Sequence, residues 1–299
     1  MNTGVLYAGL AFTLWGLFPL YLREVAATGP AEVVVHRIVW SLVFVLGLLA
    51  LRRQWAWLGE LRRSPRTLAL FALTASLVTA NWLTYTWSVQ NGHVIDASLG
   101  YFINPLVNVV LGCIVLKERP RPLQWAAIAL AALGVLWLAV QAGRLPWIGL
   151  VLAITFGFYG LLRKTAPLGA LEGLTLETML LAPFAIAVMA WWTWTGSGGL
   201  VQPGARQMGL LLLAGPLTAI PLLLFSAGAR RIPLGTLGLL QYIGPSFQFA
   251  LAVFVFHEPL EPARLVGFML IWLALGLYSA ESLWVSRRPA GTALPPAAA

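Results

Sequence analysis

Ten apolar runs follow one another along this chain with little sequence between them: residues 4–22, 33–51, 67–88, 97–116, 123–141, 146–162, 174–194, 207–228, 234–256 and 263–280. A helix needs about 20 mostly apolar residues to cross a bilayer, so the pattern predicts an all-α membrane protein with ten transmembrane helices. No connecting stretch is long enough for a soluble domain. Only 10% of the 299 residues are charged and 60% are apolar, against roughly 25% charged in an average soluble domain. So few charges cannot cover a water-facing surface. The run at 4–22 lacks a preceding basic region and reads as the first spanning helix rather than a removable signal. Residues 289–299, built from Ala, Pro, Gly, Thr and Leu, predict a disordered tail.

The net charge of +9 invites a nucleic-acid reading, but its distribution favours another. Sorting the loops alternately by side puts fourteen of the nineteen Lys and Arg on one face, among them Arg52, Arg62, Lys117, Arg121, Arg163, Arg230 and Arg287. The other face has Arg23, Arg144, Arg206 and Arg264, and Arg37 lies within a helix. This bias is the positive-inside pattern and predicts both termini in the cytoplasm.

The chain also repeats itself. Tyr101-Phe-Ile-Asn-Pro105 returns 140 residues later as Gln241-Tyr-Ile-Gly-Pro245, and each run continues to an acidic residue and a second proline, Glu118 and Pro122, then Glu258 and Pro262. Each half, 1–141 and 146–285, holds five apolar runs. With an odd count, the second copy enters the membrane from the opposite side. The expected fold is therefore two inverted five-helix repeats, the arrangement of many secondary transporters, whose sites lie where the copies meet.

Pro105 and Pro245 fall near the middle of matching runs. Each removes a backbone donor and frees the carbonyl four residues earlier, at Tyr101 and Gln241. Free backbone acceptors at membrane depth are tolerated inside protein or beside water. Tyr101–Pro105–Asn108 and Gln241–Pro245–Gln248 then form polar stripes at spacing i, i+4, i+7, one face of each helix. The third run repeats that spacing with Asn81, Tyr85 and Ser88, beside Trp82; Trp15, Tyr21 and Tyr159 add aromatic faces. Two readings follow. Either these residues line a solute cavity, with rings stacking on the solute and amides orienting it, or the prolines are packing kinks and the amides interhelical glue.

Ionisable groups inside spanning helices are costly and start as functional candidates. His36 and Arg37 lie one turn into the second run and Glu177 one turn into the seventh. In an inverted repeat those two positions sit near opposite faces, so the expected partners are Asp96 for Arg37 and Arg163 or Lys164 for Glu177. Snorkelling to the interface is the competing account. His36 could carry a proton, which leaves proton coupling open. Glu118 and Glu258 end helices where the dipole disfavours an anion; they read as gating or fold-closing residues, with Lys117, Arg119 and Arg264 as compensating charges.

No hydrolase, zinc-protease or nucleotide-binding motif is present. The three His are scattered, and Cys113 is the only cysteine, which rules out an internal disulfide and a thiolate zinc site. The sequence calls for no metal, no cofactor and no enzyme activity. An intramembrane enzyme acting on lipid-linked substrates and a passive channel for small polar solutes remain as alternatives.

Six segments carry a resemblance: His36-Arg-Ile-Val-Trp-Ser41, Asn81-Trp-Leu-Thr-Tyr85, Ser98-Leu-Gly-Tyr-Phe-Ile-Asn-Pro-Leu106, Gly157-Phe-Tyr-Gly-Leu-Leu-Arg-Lys164, Thr218-Ala-Ile-Pro-Leu222 and Gly238-Leu-Leu-Gln-Tyr242. Over residues 4–285 the chain resembles the RarD family, EamA-type permeases of the drug/metabolite transporter superfamily. The resemblance implies a bacterial inner-membrane protein of ten helices around a central cavity. Its family name is linked to chloramphenicol resistance, and related exporters move amino acids and other metabolites. It further implies Asn81, Tyr85, Tyr101, Asn104, Gln241 and Tyr242 as cavity residues. The expected activity is export of small amphipathic metabolites or drugs by alternating access.

Overall fold

Proline sets where several helices begin. Its missing N–H costs nothing in the first turn, and its fixed φ already suits a helix. Four helices start on one: α2 (Pro30–Arg52), α4 (Pro65–Gln90), α6 (Pro122–Gln141) and α12 (Pro262–Arg287). The Asn2 side chain caps α1 (Thr3–Glu24) by accepting from the Gly4 N–H at 2.9 Å. The remaining helices are α3 (Trp57–Leu61), α5 (Val94–Ile114), α7 (Trp147–Thr165), α8 (Ala170–Thr195), α9 (Ala205–Ala229), α10 (Leu234–Gln241) and α11 (Ile243–Phe254).

The computed structural model describes residues 2–25, 28–53, 55–61, 64–90, 94–141, 147–196, 204–255 and 262–287, without the side chains of 30, 60, 86, 89–90, 94–99, 252, 263–264, 282–283 and 285–287. The predicted tail at 289–299 lies outside the described residues, as do His93, His257, Glu258 and the side chains of Asp96 and Arg264.

All described secondary structure is helical. Among the described residues, seven helices are long and apolar enough to cross a membrane: α1, α2, α4, α6, α7, α8 and α9. α5 and α12 contribute shorter apolar stretches, Gly100–Ile114 and Leu265–Glu281. One expectation is corrected. The run at 234–256 is two helices, α10 and α11, meeting at Tyr242, whereas α5 continues through Pro105. The matched prolines differ in what surrounds them. Pro245 cannot donate to the Gln241 carbonyl, and the next residue, Ser246, turns its hydroxyl onto the Tyr242 carbonyl at 2.8 Å. Such back-bonding bends helices. The equivalent residue after Pro105 is Leu106, which has no hydroxyl.

The long helices pair mainly across the middle of the chain. α1 packs on α9 and α11, α7 on α4 and α5, α2 on α8 and α9, α10 on α5, and α6 on α12. Small residues permit the closest crossings, as expected where helices associate through packing in lipid. A Cβ on Gly100 would stand 3.0 Å from the Gly149 carbonyl, and one on Gly16 would stand 3.0 Å from that of Gly244.

Polar contacts at helix ends lock these pairs. The Glu118 carboxylate does not rest on Lys117 or Arg119 as the sequence suggested. It accepts from the first N–H groups of α10, Leu234 at 2.7 Å and Gly235 at 3.0 Å. The unfavourable end of one helix is thereby offset by the favourable end of another. Arg121 at the start of α6 pairs with Glu281 near the end of α12 at 2.6 Å. Outside, the helices present large apolar side chains such as Leu136, Val140 and Phe184, a surface suited to lipid. Cys113 is half-buried and packs against the core cluster that holds Phe102, Val109 and Ile128.

Candidate solute-binding cavity

Between the halves lies a cavity of about 120 Å³. Roughly 10–15 Å³ of such space accommodates one water, so this one has room for a small organic solute. It is bounded by α1, α2, α4, α5, α7, α9, α10 and α11. Its lining comes from the last turns of α1 (Phe18, Pro19, Leu22), the late part of α4 (Asn81, Trp82, Tyr85), the early part of α5 (Gly100, Tyr101, Asn104) and the α10–α11 break (Gln241, Gly244, Pro245, Gln248). The cavity is thus displaced toward the end of the bundle where α1 and α4 finish and α2, α5 and α7 begin.

The structure brings Asn81, Tyr85, Tyr101, Asn104, Gln241, Pro245 and Gln248 onto one wall surface. Asn81 is held by donating its amide to the Leu152 carbonyl at 2.9 Å and the Thr155 hydroxyl at 3.0 Å, which leaves its oxygen for the cavity. Tyr85 and Tyr101 stand edge to face, ring centroids 5.8 Å apart. Gln248 reaches the Trp15 carbonyl at 3.4 Å. Three expected residues lie behind the wall. Asn108 is fully buried, donating to Asn104 Oδ1 at 3.2 Å and Gln241 Oε1 at 2.9 Å. Tyr242 is also fully buried, its hydroxyl on the Phe102 carbonyl at 3.1 Å. Pro105 faces the other half, where its carbonyl would meet a Cβ on Gly238 at 2.6 Å. Asn108 and Tyr242 are therefore supports for the wall rather than its surface.

The charged candidates divide. Arg37 lines the cavity. Its Nε donates to the Thr218 hydroxyl at 2.9 Å, and its guanidinium carbon lies 5.0 Å from the Phe18 ring centroid and 4.7 Å from that of Trp82. The expected Asp96 partner falls on a side chain outside the described residues. His36 is buried one position earlier, accepting at Nδ1 from Trp40 Nε1 at 3.0 Å, with Nε2 unpartnered. It does not reach the cavity wall.

Arg163 and Glu177 lie together, 3.8 Å apart and fully buried. Arg163 also donates to the Ser226 hydroxyl at 3.1 Å and the Ala170 carbonyl at 3.0 Å, and stacks over Phe71. Lys164, the other expected partner, instead donates to the Ala229 and Ile232 carbonyls.

Aromatic rings connect the two charged places. Phe12, Trp15 and Phe156 form one end of the cavity. Phe225 packs 5.3 Å from Phe156 and stacks on Tyr159 at 6.1 Å, and the Tyr159 hydroxyl donates to Glu177 Oε2 at 3.2 Å. The cavity therefore has a solid floor of rings, backed by the buried ion pair. Sequence reasoning missed Phe12, Phe18, Leu152, Phe156 and Leu222, and treated Arg37 as half of a charge pair. The spacing Trp15–Phe18–Leu22, i, i+3, i+7 on one face of α1, was the available signal.

A helical membrane protein with a polar pocket between packed halves is a class shared by many permeases, and the comparisons narrow it. The model of the EamA-like transporter family matches residues 2–140. Protein RarD of Streptomyces exfoliatus is 48% identical over 288 residues, 96% of this chain and 91% of that one. An uncharacterised transporter of Pseudomonas aeruginosa is 44% identical over 288 residues, 96% of each chain. One crystal structure has the same fold, with a TM-score of 0.71 at 16% identity, covering 95% of this chain and 99% of the other. The chain belongs to the EamA-like transporter family, among its RarD permeases. It is a multi-pass bacterial membrane transporter.

Proposed function

We propose that the protein is a secondary transporter that exports small amphipathic metabolites or drugs across the inner membrane by alternating access. Two inverted EamA repeats, 1–141 and 146–285, would rock around the cavity, with both termini in the cytoplasm. The observation that carries this reading is the shape of the path. The cavity reaches toward one end of the bundle, and a ring floor backed by Arg163 and Glu177 blocks the other. By the charge bias the blocked end is cytoplasmic, which makes this an outward-facing state. A passive channel would need a continuous path, which the floor interrupts.

Depth along the two stripes supports the inverted relation. Seven helical residues span about 10.5 Å. Going up in number from Tyr101 to Asn108 leads from the cavity wall into the packed interior, where Asn108 meets Gln241. Going up from Gln241 to Gln248 leads back along the wall. Helices running in opposite senses would produce this contrast. The helix pairing also keeps its form when the halves are exchanged, α1 on α9 and α11 matching α7 on α4 and α5.

Gln241→Ala tests the solute site. Losing roughly one hydrogen bond to the solute lowers affinity about tenfold. Counterflow in proteoliposomes should slow accordingly while the protein stays folded. Unchanged counterflow would remove Gln241 from the path and the cavity reading with it.

A further inference from the structure

We infer that the cavity is built for amphipathic organic monoanions, with a carboxylate seated at Arg37 and an apolar body against the rings. This rests on the cavity being the solute site, as proposed above. A guanidinium carries five N–H donors and no acceptor. Among the described residues, Arg37 spends one of them, on Thr218. Phe18 and Trp82 lie close to the guanidinium, but rings contact a face and do not use up in-plane donors. Among the described residues no carboxylate lines the cavity.

The neighbouring amides add to the same polarity. Asn108 donates from Nδ2 to the oxygens of both Asn104 and Gln241. An amide nitrogen cannot accept, so Asn104 and Gln241 must present oxygen to it. Their own NH₂ groups are then left for whatever fills the cavity. The wall offers a fixed positive charge and two further donors, a set that matches an anionic acceptor. One arginine balances one negative charge. A doubly charged phosphate would leave an excess charge at membrane depth, which is costly. The rest of the wall, Phe12, Trp15, Phe156 and Leu222, suits a flat apolar body.

Equilibrium binding to the purified full-length protein decides the matter with two probes of nearly the same shape, indole-3-acetate and indole-3-acetamide. The acetate should bind at least about tenfold more tightly, since charge-assisted hydrogen bonds are roughly twice as strong as neutral ones. Arg37→Gln should abolish the preference while leaving amide binding in place, and Arg37→Lys should retain part of it. Equal or tighter binding of the amide would overturn the inference, as would binding of neither probe. So would a preference that persists in Arg37→Gln, or one that emerges only in Asp96→Asn. The wild-type comparison needs no variant to fold. Counterflow of the same probes separates this idea from the transport reading. Acetate binding without flux sinks transport alone, and flux without charge preference sinks the anion site alone.

Discussion

Two arginines sit inside this helical bundle, and their surroundings are opposites. Arg163 is enclosed by a carboxylate, a hydroxyl, a carbonyl and a ring. Arg37 has a hydroxyl and two rings, and opens on the cavity. A charge taken from water must be compensated by fixed partners or by something that arrives. Arg163 follows the first course: its charge is set against Glu177 beneath the ring floor, although its buried Nη1 has no hydrogen-bond partner among the described residues. Arg37 follows the second and is available to a ligand. Sequence position set Arg37 inside a helix and counted Arg163 among the charges of one face, and neither placement announced this contrast.

That contrast breaks first at Arg163. Arg163→Leu leaves Glu177 buried without a cation, and removing one partner of a buried pair costs about 3–5 kcal/mol. A large fall in melting temperature of the purified protein is expected. Adding Glu177→Leu should restore much of the loss, because an apolar pair avoids the uncompensated charge. A single variant as stable as the parent would mean that the pair does not secure the floor. Arg37→Gln should change stability far less, by about 1 kcal/mol or under, since it removes one hydrogen bond and two ring contacts at a partly open site. Thermal unfolding of the two variants side by side measures the difference. Comparable losses would erase the distinction between a structural and a ligand-facing arginine.

Much of the wall was legible because helical periodicity reports direction. Asn81 with Tyr85, and Gln241 with Gln248, share faces by spacing alone, and both pairs reach the cavity. Periodicity does not report depth. Asn108 lies on the same face as Tyr101 but about 10.5 Å further along the helix, beyond the cavity and among packed residues. Tyr242 points away because it occupies the joint between α10 and α11. The split itself was half visible: Pro245 marked a weakness, and Ser246 completed it by a hydrogen bond that the Pro245 signal alone did not announce. The floor was hidden for a different reason. Phe12, Phe156 and Phe225 are ordinary apolar residues in apolar runs, and only packing between α1, α7 and α9 makes them a barrier. Glu118 was singled out as needing compensation, yet its partner was the start of a distant helix rather than the nearby cations.

Access from each side of the membrane tests the transport cycle most directly. Cys113 is the only native cysteine, so Cys113→Ser with Gln248→Cys places one thiol on the cavity wall. A membrane-impermeant maleimide should label it from the outer face in right-side-out vesicles and, more slowly, from the inner face in inverted vesicles as the floor opens. Labelling from both faces, with a saturating solute altering the balance, is the result that alternating access predicts. Labelling confined to one face under every condition would contradict it.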